Sequence, residues 1–166
     1  MQTLAQRDEL SGVANRRYFF EMAGRTFRDA RQTGTPLSAM MLDIDHFKNV
    51  NDRYGHASGD DVIRIVAQRI TKVIGSGDIV GRYGGEEFAL VVQAPLPQAH
   101  ALAERLRQVI NEAPIATASG PIDVTASVGV AEMATRDADL GRLLQRTDAA
   151  LYEAKRAGRD QVARAS

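Results

Sequence analysis

No cysteine occurs in the 166 residues. That excludes disulfides, thiolate chemistry and cysteine-bound zinc. Neither sign of charge is in excess: 21 Lys and Arg balance 21 Asp and Glu. A neutral chain lacks the electrostatic stripe that binds nucleic acid or an anionic membrane, although a local cationic pocket for phosphate is compatible with it. There is no apolar run long enough to span a bilayer and no signal peptide. The expectation is a cytoplasmic protein without nucleic-acid or direct membrane contact. Internal repeats and low-complexity stretches are absent as well. What remains is ordinary for a globular chain, 44% hydrophobic and 25% charged. Its length suits one domain, residues 1–166, with a proper core.

Read in order, Met1 to Arg7 is expected to be a short helix carrying Leu4, the end of an upstream linker. Asn15 is a good N-cap for a helix over about Arg16–Gln32, with Phe19, Phe20, Ala23 and Phe27 at helical spacing. Gly34 and Pro36 end it. Leu37 to Ile44 is an apolar run that reads as a central strand buried on both faces. A short helix over His46–Tyr54 follows. Gly55 breaks it before a longer helix whose Val62, Ile63, Val66, Ile70 and Val73 form one stripe. Later come helices over about Gln98–Glu112 and Ala138–Ala157. Between them Ile122 to Ala131 alternates as one strand, with Ile122, Val124, Ala126, Val128 and Val130 on one face. Asp160 to Ala163 is a candidate edge strand. The strand–helix–strand–strand–helix–strand core predicts an α+β fold with a split βαβ arrangement, a central antiparallel sheet flanked by helices.

The residues that stand out are Gly84-Gly85-Glu86-Glu87-Phe88. Strand-like runs lie on either side, so the segment reads as a β-hairpin with a two-residue Gly-Gly turn, both glycines at positive φ. Packing does not call for two carboxylates at the start of an otherwise apolar strand. They suit a divalent cation, which prefers hard oxygen ligands, or else form the charged rim of a solvated turn. In a split βαβ fold the hairpin lies beside the first strand. The end of that strand, Asp43-Ile44-Asp45, then approaches Glu86. Asp43, the Ile44 carbonyl and Glu86 would form a Mg²⁺ site completed by substrate phosphates. An EF-hand is excluded, because the segment has no glycine at the sixth loop position and no glutamate at the twelfth.

The ordered motifs resemble the GGDEF, or diguanylate cyclase, family over about Asp8 to Val162. They are Asp8-Glu9-Leu10-Ser11-Gly12 with Asn15-Arg16-Arg17, then Leu42-Asp43-Ile44-Asp45-His46-Phe47-Lys48. Asn51-Asp52, Tyr54-Gly55-His56 and Gly59-Asp60 follow, then Arg82-Tyr83-Gly84-Gly85-Glu86-Glu87-Phe88. Ala126-Ser127-Val128-Gly129-Val130, Asp148-Ala149-Ala150-Leu151-Tyr152, Ala154-Lys155 and Gly158-Arg159 complete the series. Glu86 replaces the aspartate in the family's name, a variant that active members also carry.

The resemblance implies a ferredoxin-like, cyclase- and polymerase-palm-like fold. It implies condensation of two GTP into cyclic di-GMP and two pyrophosphates across a two-fold homodimer. The alternative is a catalytically weak GTP-binding sensor. By motif position, Asp43, the Ile44 carbonyl and Glu86 would hold Mg²⁺, or Mn²⁺, and Glu87 would help activate the 3′-hydroxyl. Asn51 and Asp60 would read guanine with His56 close by, while Lys48, Lys155 and Arg159 would hold the triphosphate. Lys155 and Arg159 share one helix face, which equally suits a basic helix end facing the macrodipole. An upstream sensory or receiver domain is the expected partner. Two details depart from a simple transfer of roles. Adjacent strand residues point to opposite faces, so a regular strand separates Glu86 from Glu87, and a two-residue turn sets Glu87 opposite Arg82. In addition, many members carry an inhibitory product site, Arg-x-x-Asp, ahead of the hairpin. Here the aspartate is kept as Asp78 but Gly75 stands in place of the arginine, so no product-inhibition site is expected there.

Overall fold

The computed structural model of the protein describes residues 5–166. Five strands form the main sheet in the order β2-β3-β1-β6-β7. They are β1 (Ser38–Ile44), β2 (Ile79–Arg82), β3 (Glu87–Val92), β6 (Ala126–Glu132) and β7 (Val162–Arg164). All neighbours run antiparallel except β7, which lies parallel to β6. The central position of β1 explains why all seven of its residues are buried. Alternation then splits them between two cores. Met40 and Leu42 face α3 (His56–Val73) and α4 (Leu96–Asn111). Ala39 and Met41 face α1 (Arg16–Thr33) and α5 (Leu140–Arg156), where Phe19, Phe27, Leu143 and Leu151 pack. Each large aliphatic or aromatic side chain fully buried this way contributes about 1.5–3 kcal/mol.

Local chemistry sets the helix limits. Asn15 caps α1 by accepting from the Tyr18 N–H, and Asp139 caps α5 by accepting from the Arg142 N–H. Gly129 on β6 lets α5 lie against the sheet, because a Cβ there would overlap the Thr147 carbonyl and the Leu151 nitrogen. The short helix after β1 is α2 (Phe47–Tyr54), entered through His46 at φ 55°. No helix among the described residues is long and apolar enough to cross a membrane.

Three expectations need correction. Of the expected helix over Met1–Arg7, residues 1–4, with Leu4, lie outside the described residues. Arg7 forms an isolated bridge to Ala14, and Ala14 in turn bridges Gly81 of β2. Residues 5–7 form no helical turn, and Arg7 is held by this edge pairing. The expected strand Ile122–Ala131 is interrupted: β4 (Ile115–Thr117) and β5 (Gly120–Ile122) form their own hairpin before β6 begins at Ala126. The inward set Ile122, Val124, Ala126, Val128 and Val130 is nevertheless buried in one core, because alternation fixes side-chain direction even where pairing stops. The third correction is the Gly-Gly turn. Arg82 pairs with Phe88, not Glu87, and the Tyr83 N–H donates to the Glu87 carbonyl at 2.8 Å. Three residues, Gly84, Gly85 and Glu86, therefore make the turn, and neither glycine has positive φ.

Candidate active site

The corrected register decides where the acidic residues point. Glu87 starts β3 directly opposite Asp43 of β1, and Ser127 of β6 flanks Asp43 on its other side. Opposed residues of antiparallel strands share a face, with Cβ atoms about 4.5–5.5 Å apart. Glu87, Asp43 and Ser127 thus form a row across three strands under the end of α5. Glu86 lies in the turn rather than on the strand, so it need not oppose Glu87. Its carbonyl accepts from the Ile44 N–H at 3.2 Å, which fixes the turn to the end of β1. Gly84 leaves room for the row, since a Cβ there would lie 2.8 Å from Glu87 Oε1.

Arg82 does not neutralise Glu87. Its guanidinium donates to Asp8 at 3.1 and 3.2 Å and to the Gly85 carbonyl at 2.8 and 3.2 Å. On the other side of the turn, Arg16 donates to the Tyr83 carbonyl at 2.9 Å and sits 4.0 Å from the Tyr83 ring centroid. Two arginines thereby brace the loop that carries Glu86. Sequence reasoning set Arg82 opposite Glu87, as a candidate counter-charge to it, and gave Arg16 no role of its own; the bracing of the turn was not foreseen.

The row is short of positive charge. Lys155 of α5 donates to Asp43 Oδ2 at 2.7 Å, where the resemblance had it on the triphosphate. Burial pushes the Asp43 carboxyl above its usual range; Lys155 opposes that shift, and Glu86 and Asp45 add to it. Burial likewise raises Glu87, with Asp43, Asp148 and Glu86 adding repulsion against Lys155. Asp148 is a further acidic neighbour that the sequence did not single out. Among the described residues, no three acidic or imidazole side chains converge closely enough to hold an ion alone. Two carboxylates and a backbone carbonyl are a fitting but incomplete set of hard donors, the kind that Mg²⁺ completes with water and phosphate oxygens. The mutual repulsion of the carboxylates is a second reason that a divalent cation fits.

The expected base-reading residues lie beyond the same strand end. Asn51 on α2 rests its side-chain oxygen against Gly59 of α3, where any Cβ would collide with it. The absent side chain lets the two helices meet and aims the amide toward the start of α3. Asp60 and His56 are exposed there. Lys48 is exposed on α2, and Arg159 is exposed beyond α5 with φ 64°. The described geometry brings Asp43, Glu87 and Lys155 together. Lys48, His56, Asp60 and Arg159 are exposed and lie outside that group of contacts.

A family model described as "Diguanylate cyclase, GGDEF domain" matches residues 5–161. The chain belongs to the GGDEF domain family. It is 40% identical over 157 residues to diguanylate cyclase DosC of Escherichia coli K12, covering 93% of this chain and 34% of DosC. The chain thus spans about a third of the length of that curated relative. Among solved structures, it superimposes with a TM-score of 0.92 on the GGDEF domain of DgcB from Caulobacter crescentus, a structure in complex with c-di-GMP. That match is 34% identical and covers 99% of this chain and 95% of the other. The active GGEEF domain of a Vibrio cholerae diguanylate cyclase gives a TM-score of 0.85 at 35% identity, covering 92% and 97% of the two chains. The α+β fold with its split βαβ core is therefore that of GGDEF domains.

Proposed function

We propose that this GGDEF domain is a diguanylate cyclase that condenses two GTP into cyclic di-GMP and two pyrophosphates. The observation that carries the reading is the row of Glu87 and Asp43 beneath Lys155, with Glu86 held at the end of β1 by its bond to Ile44. In each half-reaction a 3′-oxygen attacks an α-phosphate. A new P–O bond forms, the bond to pyrophosphate breaks, and the hydroxyl proton leaves for a base. Glu87 suits that base, because burial and its acidic neighbours raise its proton affinity. Asp43, the Ile44 carbonyl and Glu86 would hold Mg²⁺ or Mn²⁺, which supplies positive charge to the attacking and leaving oxygens. Lys155 then has two partners, Asp43 at rest and the departing pyrophosphate during reaction, with Lys48 and Arg159 supporting the phosphates.

Asn51 and Asp60 read guanine, with His56 beside them. Guanine offers N1–H and an N2 amino group side by side, and a carboxylate accepts both. Adenine leaves that carboxylate unpaired, at about 1–3 kcal/mol for each buried polar group left unsatisfied. One chain holds one GTP, so turnover needs a second copy facing the first with two-fold symmetry. Regulation is expected from an upstream sensory or receiver domain.

The test is incubation with GTP and Mg²⁺, with products separated by chromatography. Cyclic di-GMP should form, activity per chain should rise with protein concentration, and Glu87→Gln should remove most of it. Binding of GTP without product would overturn the reading in favour of a regulatory GTP-binding domain.

A further inference from the structure

Asp45 is as buried as Asp43, at 5% exposure each, and lies two residues on, yet among the described residues it has no cationic partner within hydrogen-bonding distance. Three neutral donors fill it instead. Thr125 Oγ1 donates to Oδ2 at 2.7 Å, Ser127 Oγ to Oδ1 at 2.6 Å, and the Asp160 N–H to Oδ2 at 3.0 Å. The third bond reaches the loop that joins α5 to β7. Gly158, Arg159 and Asp160 in that loop take φ of 122°, 64° and 46°. Two consecutive non-glycine residues in the left-handed region cost free energy and persist only when their surroundings hold them. Within the loop the Arg159 N–H donates to the Ala154 carbonyl at 3.0 Å and the Gln161 side chain donates to the Arg159 carbonyl at 2.9 Å, and two further contacts reach Asp160 from outside it. Asp45, in the turn just after β1, holds the Asp160 backbone, and Arg107 of α4 holds the Asp160 carboxylate at 2.8 Å while also pairing with Glu104.

We infer that Asp45 is a positioning residue for Arg159: it fixes the left-handed turn after α5 and so aims the Arg159 guanidinium at the triphosphate. The inference rests on the reading of Arg159 as a phosphate-holding residue. It separates two carboxylates that stand two residues apart, because Asp45 accepts from three neutral donors, whereas Asp43 accepts from Lys155.

The variants are Asp45→Ala, Asp45→Asn, Arg159→Ala and the double variant Asp45→Ala with Arg159→Ala, each assayed with GTP and Mg²⁺ and with pyrophosphate as competitor. Asp45→Ala should raise the GTP KM and the pyrophosphate inhibition constant about tenfold, the loss of one good hydrogen-bonded phosphate contact, with kcat within about twofold. Asp45→Asn should restore both, since its oxygen can still accept from Asp160 while its amide donates to the Ser127 hydroxyl. The double variant should be no worse than Arg159→Ala. If Asp45→Ala does not fold, Arg107→Ala carries the test, with a rise of about threefold in both constants that vanishes in the Arg159→Ala background. Full additivity, unchanged constants in the brace variants, or a loss confined to kcat would overturn the role of Asp45. Should Arg159→Ala itself change neither constant, the phosphate reading of Arg159 falls, and this inference with it.

Discussion

Asp43, near the end of β1, and Asp45, in the turn just beyond it, are equally buried and have opposite surroundings. Asp43 meets one cation, Lys155, and otherwise other carboxylates. Asp45 meets two hydroxyls and a backbone N–H. A carboxylate starved of donors retains charge to offer a ligand, whereas a saturated one builds structure. Asp8 falls on the saturated side, accepting from the Ser11 N–H and hydroxyl as well as Arg82.

The largest expected effect tests the starved side. Asp43→Asn should cut turnover by on the order of a hundredfold or more, a figure that already holds for residues one shell further from a metal. The same change should not lower thermal stability at neutral pH. Burial raises the folded Asp43 pKa above 3.8, so the native state holds that proton more tightly than the unfolded chain. Stability is then lost as pH rises through the window between the two values. Removing the charge removes that loss. A clear drop in melting temperature for Asp43→Asn would break the contrast. Asp45→Ala should do the reverse for stability, costing about 1–3 kcal/mol, because it strands buried donors. Urea denaturation of the two variants side by side measures this.

A smaller effect is expected from Lys155→Met. Lys155 holds the Asp43 pKa down against burial, so its loss should move the Asp43 titration, followed by carboxyl NMR without metal, to higher pH. An unmoved titration would remove Lys155 as its counter-charge. Smaller again is Asp8→Asn. Burial raises the Asp8 pKa, but the Ser11 hydrogen bonds and Arg82 outweigh it and leave the value below 3.8. That stability is present above 3.8 and lost as pH falls through the lower folded value. The variant should cost about 1 kcal/mol at pH 7 and nothing in strong acid; an equal cost in both would refute the pairing. The smallest expected effect is none at all. With Gly75 in the arginine position and the Asp78 carboxylate occupied by the Gly75 N–H, Asp78→Ala should leave any inhibition by cyclic di-GMP unchanged. Inhibition that this variant abolishes would place the product on Asp78 in spite of Gly75.

Much of this architecture was legible in the order of residues. The apolar run through Met40 to Leu42 predicts a strand buried on both faces, and all of β1 is buried. Asn15 and Gly34 mark the ends of α1 where they stand. Such features depend on a few neighbouring residues, on side-chain period and on backbone freedom, so local chemistry settles them. The motif series was also enough to identify the family and to nominate Asp43, Glu86 and Glu87. The three-residue turn was not legible. Gly-Gly permits several turns, and the choice came from the Arg82 and Arg16 contacts to carbonyls on either side of Gly84, made by an arginine on β2 and another on α1. That one-residue change in register turned Glu87 toward Asp43. The sequence by itself determined which carboxylates this protein carries and on which strand and turn they sit. Only the tertiary structure decided which of them is starved of donors, because Lys155, Ser127, Thr125 and Asp160 reach that face from positions eighty or more residues along the chain, where no local rule connects them.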